Sequence, residues 1–169
     1  MSKNKILVIV PAYNEEASLP ALLKEIQQLG YDIVVIDDSS KDNTSMVAKN
    51  AGVPVLSLAA NLCIGGGVQT GFKYAVTHGY DIVVQVDGDG QHNPSWIEAL
   101  VAPIIRGEAN CVIGSRYLSE NPDKDYKTPL ARRIGMYFST SMLYLETGIH
   151  SADTTAGLRA LDRKAFEYF

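Results

Sequence analysis

The chain has 169 residues, 46% of them apolar and 20% charged, enough for one globular domain with a real core rather than two. A net charge of −4 and a sequence pI of about 5.3 leave no basic footprint for nucleic acid. The opening apolar run is too short for a signal peptide or a membrane span. Cys63 and Cys111 match no zinc spacing. Both cysteines are expected as free buried thiols in a cytoplasmic protein, one still able to visit the inner face of a membrane.

Ile6-Leu-Val-Ile-Val10 is a continuous apolar run ending at Pro11. Ile33 to Ile36 ends at Asp37, Ile82 to Val86 at Asp87, and Cys111 to Ile113 at Gly114. Unalternating, β-branched runs of this kind suit strands buried on both faces, hence a parallel sheet. Val53 to Ser57 is a weaker fifth strand. Between the runs lie helical patterns: Glu15–Leu29 closed by Gly30, Asp42–Asn50, Val68–Thr77, and Ser95–Ile105 behind Pro94. Beyond Arg116 the chain reads as a polar loop over 119–127 and a helix from Pro129 to Glu146. Thr154 to Leu161 then holds a short strand, and a helix begins at Arg163. Phe166, Tyr168 and Phe169 are expected to be exposed, awaiting further chain or a second copy in a homodimer. The spacing predicts an α/β fold: an open, mainly parallel sheet with helices on both faces, in one domain.

In such sheets ligands bind beyond the carboxyl ends of the strands. Those ends read Pro11-Ala-Tyr-Asn-Glu15, Asp37-Asp-Ser-Ser40, Asp87-Gly-Asp-Gly-Gln91 and Gly114-Ser-Arg116. The unusual polar residues therefore gather along one edge.

Asp87 and Asp89 are two like charges one residue apart, and unpaired they would raise each other's pKa. Mg²⁺ or Mn²⁺ removes that conflict, since Mg²⁺ is held by one or two carboxylates plus substrate phosphates. Gly88 and Gly90 would let a diphosphate approach the backbone. The competing reading is a solvated Asp-Gly turn. Asp37 and Asp38 either accept hydrogen bonds from a base or ribose, or cap the helix that follows. Gly65, Gly66 and Gly67 offer backbone N–H groups to phosphate, or form a plain loop. Tyr13 stacks on a base or covers the sheet end. Arg116, by its strand-end position, stands out for phosphate binding over Arg132, Arg133 and Arg159. His78, His92 and His150 show no ligand spacing; His92 is expected as a loop residue near the acidic pair, the other two at the surface.

Together, "VIVPAYNEE", "VVIDDSSKDNT", "NLCIGGGVQTGFKYA", "VQVDGDGQHNP" and "VIGSRY" resemble, in order and spacing, the inverting family 2 glycosyltransferases of the GT-A fold. The segment "DTTAGLRAL" is most similar to the dolichol-phosphate mannosyltransferase and polyprenyl-phosphate glycosyltransferase branch. The resemblance implies a nucleotide-diphosphate sugar donor, UDP- or GDP-linked, and a role in assembling polysaccharide or cell-surface glycan. Pro11, Ala12, Tyr13 and Glu15 would line the nucleoside, Asp38 would meet the base, and Gly65 would lie on the donor side. Asp87 and Asp89 would form the DxD motif holding metal and diphosphate, with Asp89 counted as catalytic and Gln91 assisting at the metal. Arg116 would bind phosphate. Arg132 and Arg159 would bind the acceptor, a lipid phosphate or a glycan, and Asp153 is the candidate base. On this reading residues 1–118 are the donor half and 119–169 begin the acceptor side, with the chain truncated at its C-terminal end. Cys63 and Ser39 stand where the family commonly has glycine, and Ala156-Gly-Leu replaces the more usual Ser-Gly-Phe. Two rivals fit less well. A sugar nucleotidyltransferase would show a glycine-rich basic loop after the first strand, where this chain has Pro11 to Glu15. A catalytically incomplete nucleotide-sugar-binding protein would keep the donor site without transfer.

Overall fold

The computed structural model describes residues 4–114 and 157–168. Two compact units divide the chain: Met1–Val112 with Gly157–Phe169, and Ile113–Ala156. The first carries the strand-end residues discussed below, and after Gly157 the chain returns to it.

Chain order is β1 (Ile6–Ala12), α1 (Leu19–Gln28), β2 (Asp32–Asp37), α2 (Thr44–Asn50), β3 (Val55–Ser57), α3 (Cys63–Thr77) and β4 (Ile82–Gln85). A 3₁₀ turn (Pro94–Trp96) leads into α4 (Ile97–Ile105), followed by β5 (Cys111–Ile113), β6 (Arg159–Asp162) and α5 (Arg163–Tyr168). The sheet runs β3-β2-β1-β4-β6-β5. β1 pairs in parallel with β2 and β4, and β2 with β3, while β6 is antiparallel to β4. The expected open, mainly parallel sheet is present, with β6 running antiparallel beside β4.

The unalternating runs have a direct cause. Val8 and Val10 of β1 pack under α1, α2 and α4 with Leu22, Leu23, Ile26, Ala48 and Leu100. Leu7 and Ile9, on the opposite face, pack against Phe72 and Ala75 of α3 and Phe166 of α5. Both faces are covered, so every position of the strand is apolar.

Three expectations change. α1 begins at Leu19, not near Glu15, because Glu15 to Ser18 belong to the loop that meets the β2–α2 loop. α3 begins at Cys63 and absorbs the glycine run. Its buried residues Gly67, Gly71 and Ala75 recur every fourth position, the helical repeat, and make a flat stripe against the sheet. A Cβ on Gly71 would meet the Ile9 side chain at 3.0 Å, and one on Gly67 would meet the Pro11 side chain at 3.5 Å. Gly71 lets the helix approach β1, whereas a Cβ at Gly67 would make an ordinary contact. Phe166, expected exposed, is 1% exposed and stacks on Phe72 with centroids 6.1 Å apart. Its burial contributes about 2–3 kcal/mol and removes it from any surface for a second copy; Tyr168 does remain exposed.

The cysteines are also corrected. Both are exposed: Cys63 starts α3, and Cys111 lies on β5, the last strand of the sheet among the described residues. Among the described residues no helix is long and apolar enough to cross a membrane.

Candidate functional site

Strand order reverses between β1 and β4: β2 and β3 follow on one side, β6 and β5 on the other. That is the switch point of an open sheet, where a crevice opens beyond the carboxyl ends. The chain places Pro11-Ala12-Tyr13 at one lip and Asp87-Gly88-Asp89 at the other. The crevice is a cleft of about 430 Å³. Pro11, Ala12, Tyr13, Glu15 and Asp38 line it together with Asp87 and Asp89. These seven residues, all singled out in the sequence, therefore share one cavity.

The lips are held by the backbone. The Gly88 N–H donates to the Pro11 carbonyl at 3.1 Å. A Cβ at Gly88 would meet that oxygen at 3.1 Å and the Ala12 Cβ at 3.2 Å. The missing side chain thus brings β1 and the acidic turn together, and Gly88 itself lines the cleft. The Ser18 hydroxyl sits 2.8 Å from the Gly88 carbonyl and 2.7 Å from Glu15 Oε2, donating to one at a time. It ties the entry of α1 to the acidic turn.

The β2–α2 loop is fastened to the β1–α1 loop. The Glu15 N–H donates to Thr44 Oγ1 at 2.8 Å, Asn14 N–H to Ser40 Oγ at 3.0 Å, and Lys41 N–H to Asn14 Oδ1 at 2.8 Å. The Asn43 N–H donates to Glu16 Oε2 at 2.9 Å. Asp37 and Asp38 do not cap α2. Asp37 Oδ1 accepts the Ser40 N–H at 3.0 Å, whereas Asp42 Oδ1 accepts the Thr44 N–H at 3.0 Å at the helix start. Asp38 is buried, its N–H donates to the Ala12 carbonyl, and its Oδ1 accepts the Leu62 N–H at 2.7 Å. It therefore connects β1, β2 and the entry of α3 at the wall of the cleft.

Asp87 is half-buried and Asp89 exposed. Burial pushes the Asp87 carboxyl above the usual carboxylate range. The Gln85 hydrogen bond and the nearby His92 pull it back, Asp89 adds to the rise, and Arg159 opposes it. Gln85 Nε2 donates to Asp87 Oδ1 at 3.1 Å. Asp89 Oδ1 accepts the Gln91 N–H at 2.9 Å. Among the described residues no group of three or more His, Cys, Asp or Glu side chains is placed to hold a metal alone. Two carboxylates on one cleft fit a Mg²⁺ or Mn²⁺ that shares its remaining positions with substrate phosphates.

Other candidates fall elsewhere. Gly65 is exposed and Gly67 lines the cleft in its stead. Gln91 is exposed and reaches Asp89 through its backbone. Arg159 stands on β6 opposite Gln85. Arg116, Arg132 and Asp153 lie outside the described residues, as do Arg133, His150, the 119–127 loop and the helix expected from Pro129. His92 is in a loop as expected, but buried. Two contributors to the site were missed. Gln85 is a lone polar residue inside an apolar strand, a signal that was legible. Thr44 fell inside the helix expected over Asp42–Asn50 and carried no signal of its own.

The family model described as "Glycosyl transferase family 2" matches residues 7–169. An uncharacterized protein of Methanocaldococcus jannaschii is 39% identical over 98% of this chain and 68% of its own length. The UDP-N-acetylglucosamine–dolichyl-phosphate N-acetylglucosaminyltransferase of Methanococcus voltae is 33% identical over 99% of this chain and 73% of its own. The undecaprenyl-phosphate mannosyltransferase of Micrococcus luteus is 31% identical over 92% and 65%. Among solved structures, glucosyl-3-phosphoglycerate synthase of Mycobacterium tuberculosis with Mn²⁺, UDP-glucose and phosphoglyceric acid superposes with a TM-score of 0.73 at 23% identity, over 96% of this chain. The chain spans 58% of that structure's length, and the likeness bears on the fold. With the GT-A type of open sheet, the cleft at its switch point and a family match over nearly its whole length, the chain belongs to glycosyltransferase family 2.

Proposed function

We propose that the chain carries the donor site of a glycosyltransferase that moves a sugar, with inversion, from a UDP- or GDP-sugar to a polyprenyl phosphate. One observation carries the reading: Asp87 and Asp89 share a single switch-point cleft with Asp38, Tyr13 and Pro11. An exposed aromatic ring, a buried acid and a strand end suit a nucleoside; two adjacent carboxylates suit its metal-bound diphosphate. Asp87 and Asp89, with Gln91 beside them, are the residues that would hold Mg²⁺ or Mn²⁺. When bound, the metal supplies Lewis-acid neutralisation of the charge on the departing diphosphate.

The acceptor class is supported by the polyprenyl-phosphate substrates in the names of the Methanococcus and Micrococcus relatives. In the reaction, an acceptor phosphate oxygen bonds to the anomeric carbon as the bond from that carbon to the diphosphate oxygen breaks. A phosphate is already anionic near neutral pH and needs little help from a base. Asp153 would act as general base only toward a hydroxyl acceptor. Arg159, with Arg116 and Arg132, is assigned to phosphate binding. A lipid acceptor puts the working protein at a membrane surface.

Calorimetric titration with UDP, GDP and their sugar conjugates, with and without Mn²⁺ or Mg²⁺, tests the donor site. Metal-dependent binding of one diphosphate that Asp89→Asn abolishes is the expected result. A folded protein that binds none of them would refute it.

A further inference from the structure

β6 returns to the sheet antiparallel to β4, with Gln85 opposite Arg159, Val84 opposite Ala160 and Val83 opposite Leu161. Continuing that register by two residues puts Gly157 opposite Asp87. The atoms agree. A Cβ added at Gly157 would fall inside the Asp87 carboxylate, on Oδ2 first, with the Asp87 Cγ next and Oδ1 at 2.8 Å. These three nearest atoms all belong to the Asp87 side chain, and none is backbone. Gly157 is itself buried. The space that a side chain would fill at 157 is therefore the space that the Asp87 carboxylate occupies.

We propose that Gly157 is a positioning residue of the donor site: by having no side chain it reserves the seat of the Asp87 carboxylate. The inference rests on the donor-site reading given above. The carboxylate is bounded by three things the sheet supplies. Gln85, two residues before it on β4, donates to Oδ1. The Gly157 backbone closes the side toward β6. Arg159 adds a positive charge from the same strand. The short Asp side chain cannot yield to a new methyl group and keep these partners. A substitution at 157 therefore rotates the carboxylate out of place while the sheet, whose backbone is not met, can still form. The segment that returns from the acceptor side of the chain would in this way finish the donor site, coupling the two halves of the reaction through one missing side chain. This role has no local signature, because it depends on the register of an antiparallel pair distant in sequence.

The test uses wild type, Gly157→Ala, Asp87→Ala and the double variant Asp87→Ala/Gly157→Ala. Each is followed by thermal unfolding, and each is titrated with UDP and with GDP, with and without Mn²⁺. Gly157→Ala is expected to lower the metal-dependent affinity by roughly 10- to 100-fold, the range seen when a supporting partner of a ligand is lost. Its metal-free affinity, which rests on Tyr13 and Asp38, stays unchanged, a split that general loosening would not produce. In the Asp87→Ala background the same substitution should leave the melting temperature nearly unchanged, because the clashing carboxylate is gone. If Gly157→Ala alone does not fold, recovery of folding in the double variant supports the proposal and its absence overturns it. Wild-type metal-dependent binding by Gly157→Ala, or an equal loss of stability in both backgrounds, overturns it while leaving the donor site standing. Absence of metal-dependent binding in the wild type would instead remove the donor-site reading, and this inference with it.

Discussion

Glu15 lies on the β1–α1 loop and Thr44 is the first residue of α2, yet the backbone N–H of the first donates to the hydroxyl of the second at 2.8 Å. Thr44 is fully buried and its hydroxyl also donates to Asp42. The bond ties the loop carrying Tyr13 to the start of α2, just after the loop carrying Asp38. Thr44→Val keeps the shape and removes the hydroxyl, leaving a part-buried N–H without its partner. The expected loss is about 1–3 kcal/mol in denaturant unfolding, with weaker nucleotide binding in titration. Thr44→Ser, which keeps the oxygen, should retain most of both.

Ser39 and Cys63 hold the left-handed backbone conformation, with φ of 62° and 59°. These are the two positions where the sequence departs from the family's usual glycine. The strain of a Cβ in that region costs about 1–2 kcal/mol, partly offset by the extra freedom glycine gains when unfolded. Ser39→Gly and Cys63→Gly should each raise stability by about 0.5–1 kcal/mol. Thermal unfolding of the single and double variants checks this, and no gain in either would show that the local backbone relaxes around its side chain.

Burial raises the Asp87 carboxyl above its unfolded value. A carboxyl raised on folding favours the protonated form, so its contribution is most favourable below the ordinary carboxylate pKa. It declines as pH rises from that value through the shifted one. At neutral pH the charge is thus carried at the expense of the fold. Asp87→Asn should be at least as stable as wild type at pH 7, with the comparison turning toward wild type as the pH falls below 4. It should lose metal-dependent nucleotide binding altogether. Unfolding at the two pH values and a titration at pH 7 measure both effects. A variant clearly less stable than wild type at pH 7 contradicts the sign.

At the other end of the sheet, the Tyr80 hydroxyl donates to Asp32 Oδ2 at 3.1 Å, and Lys5 Nζ lies 4.2 Å from the centre of its ring. Burial, then the Asp32 hydrogen bond and charge, push the Tyr80 phenol up to about 12. A raised folded value makes this contribution complete below the unfolded pKa of about 10 and progressively lost as pH rises toward 12. Tyr80→Phe should cost about 1 kcal/mol at pH 7. The gap to wild type should narrow once the pH passes 10. Denaturant unfolding at pH 7 and above pH 10 gives the comparison.

Much of this protein was legible in its sequence, for a local reason. Strands buried on both faces must be apolar at nearly every position, so Ile6–Val10, Ile33–Ile36 and Ile82–Val86, with Gln85 its one polar residue, announced themselves without any neighbour being known. Parallel strands point the same way, so the residues that follow them share one edge; this gathered Pro11, Tyr13, Asp38, Asp87 and Asp89 before any coordinates. What the sequence could not hold was information carried by pairing across distance. β6 runs antiparallel beside β4, which sets Gly157 against Asp87 and Arg159 across from Gln85. Phe166 is buried because α5 lands on Phe72. Gly71 serves the approach of α3 to β1, and Gly88 serves the junction of two strand ends. Cys111, on β5, is exposed where a buried thiol was expected. In the other cases the deciding partner lies far along the chain, and periodicity reports only which way a side chain faces, never what it meets there.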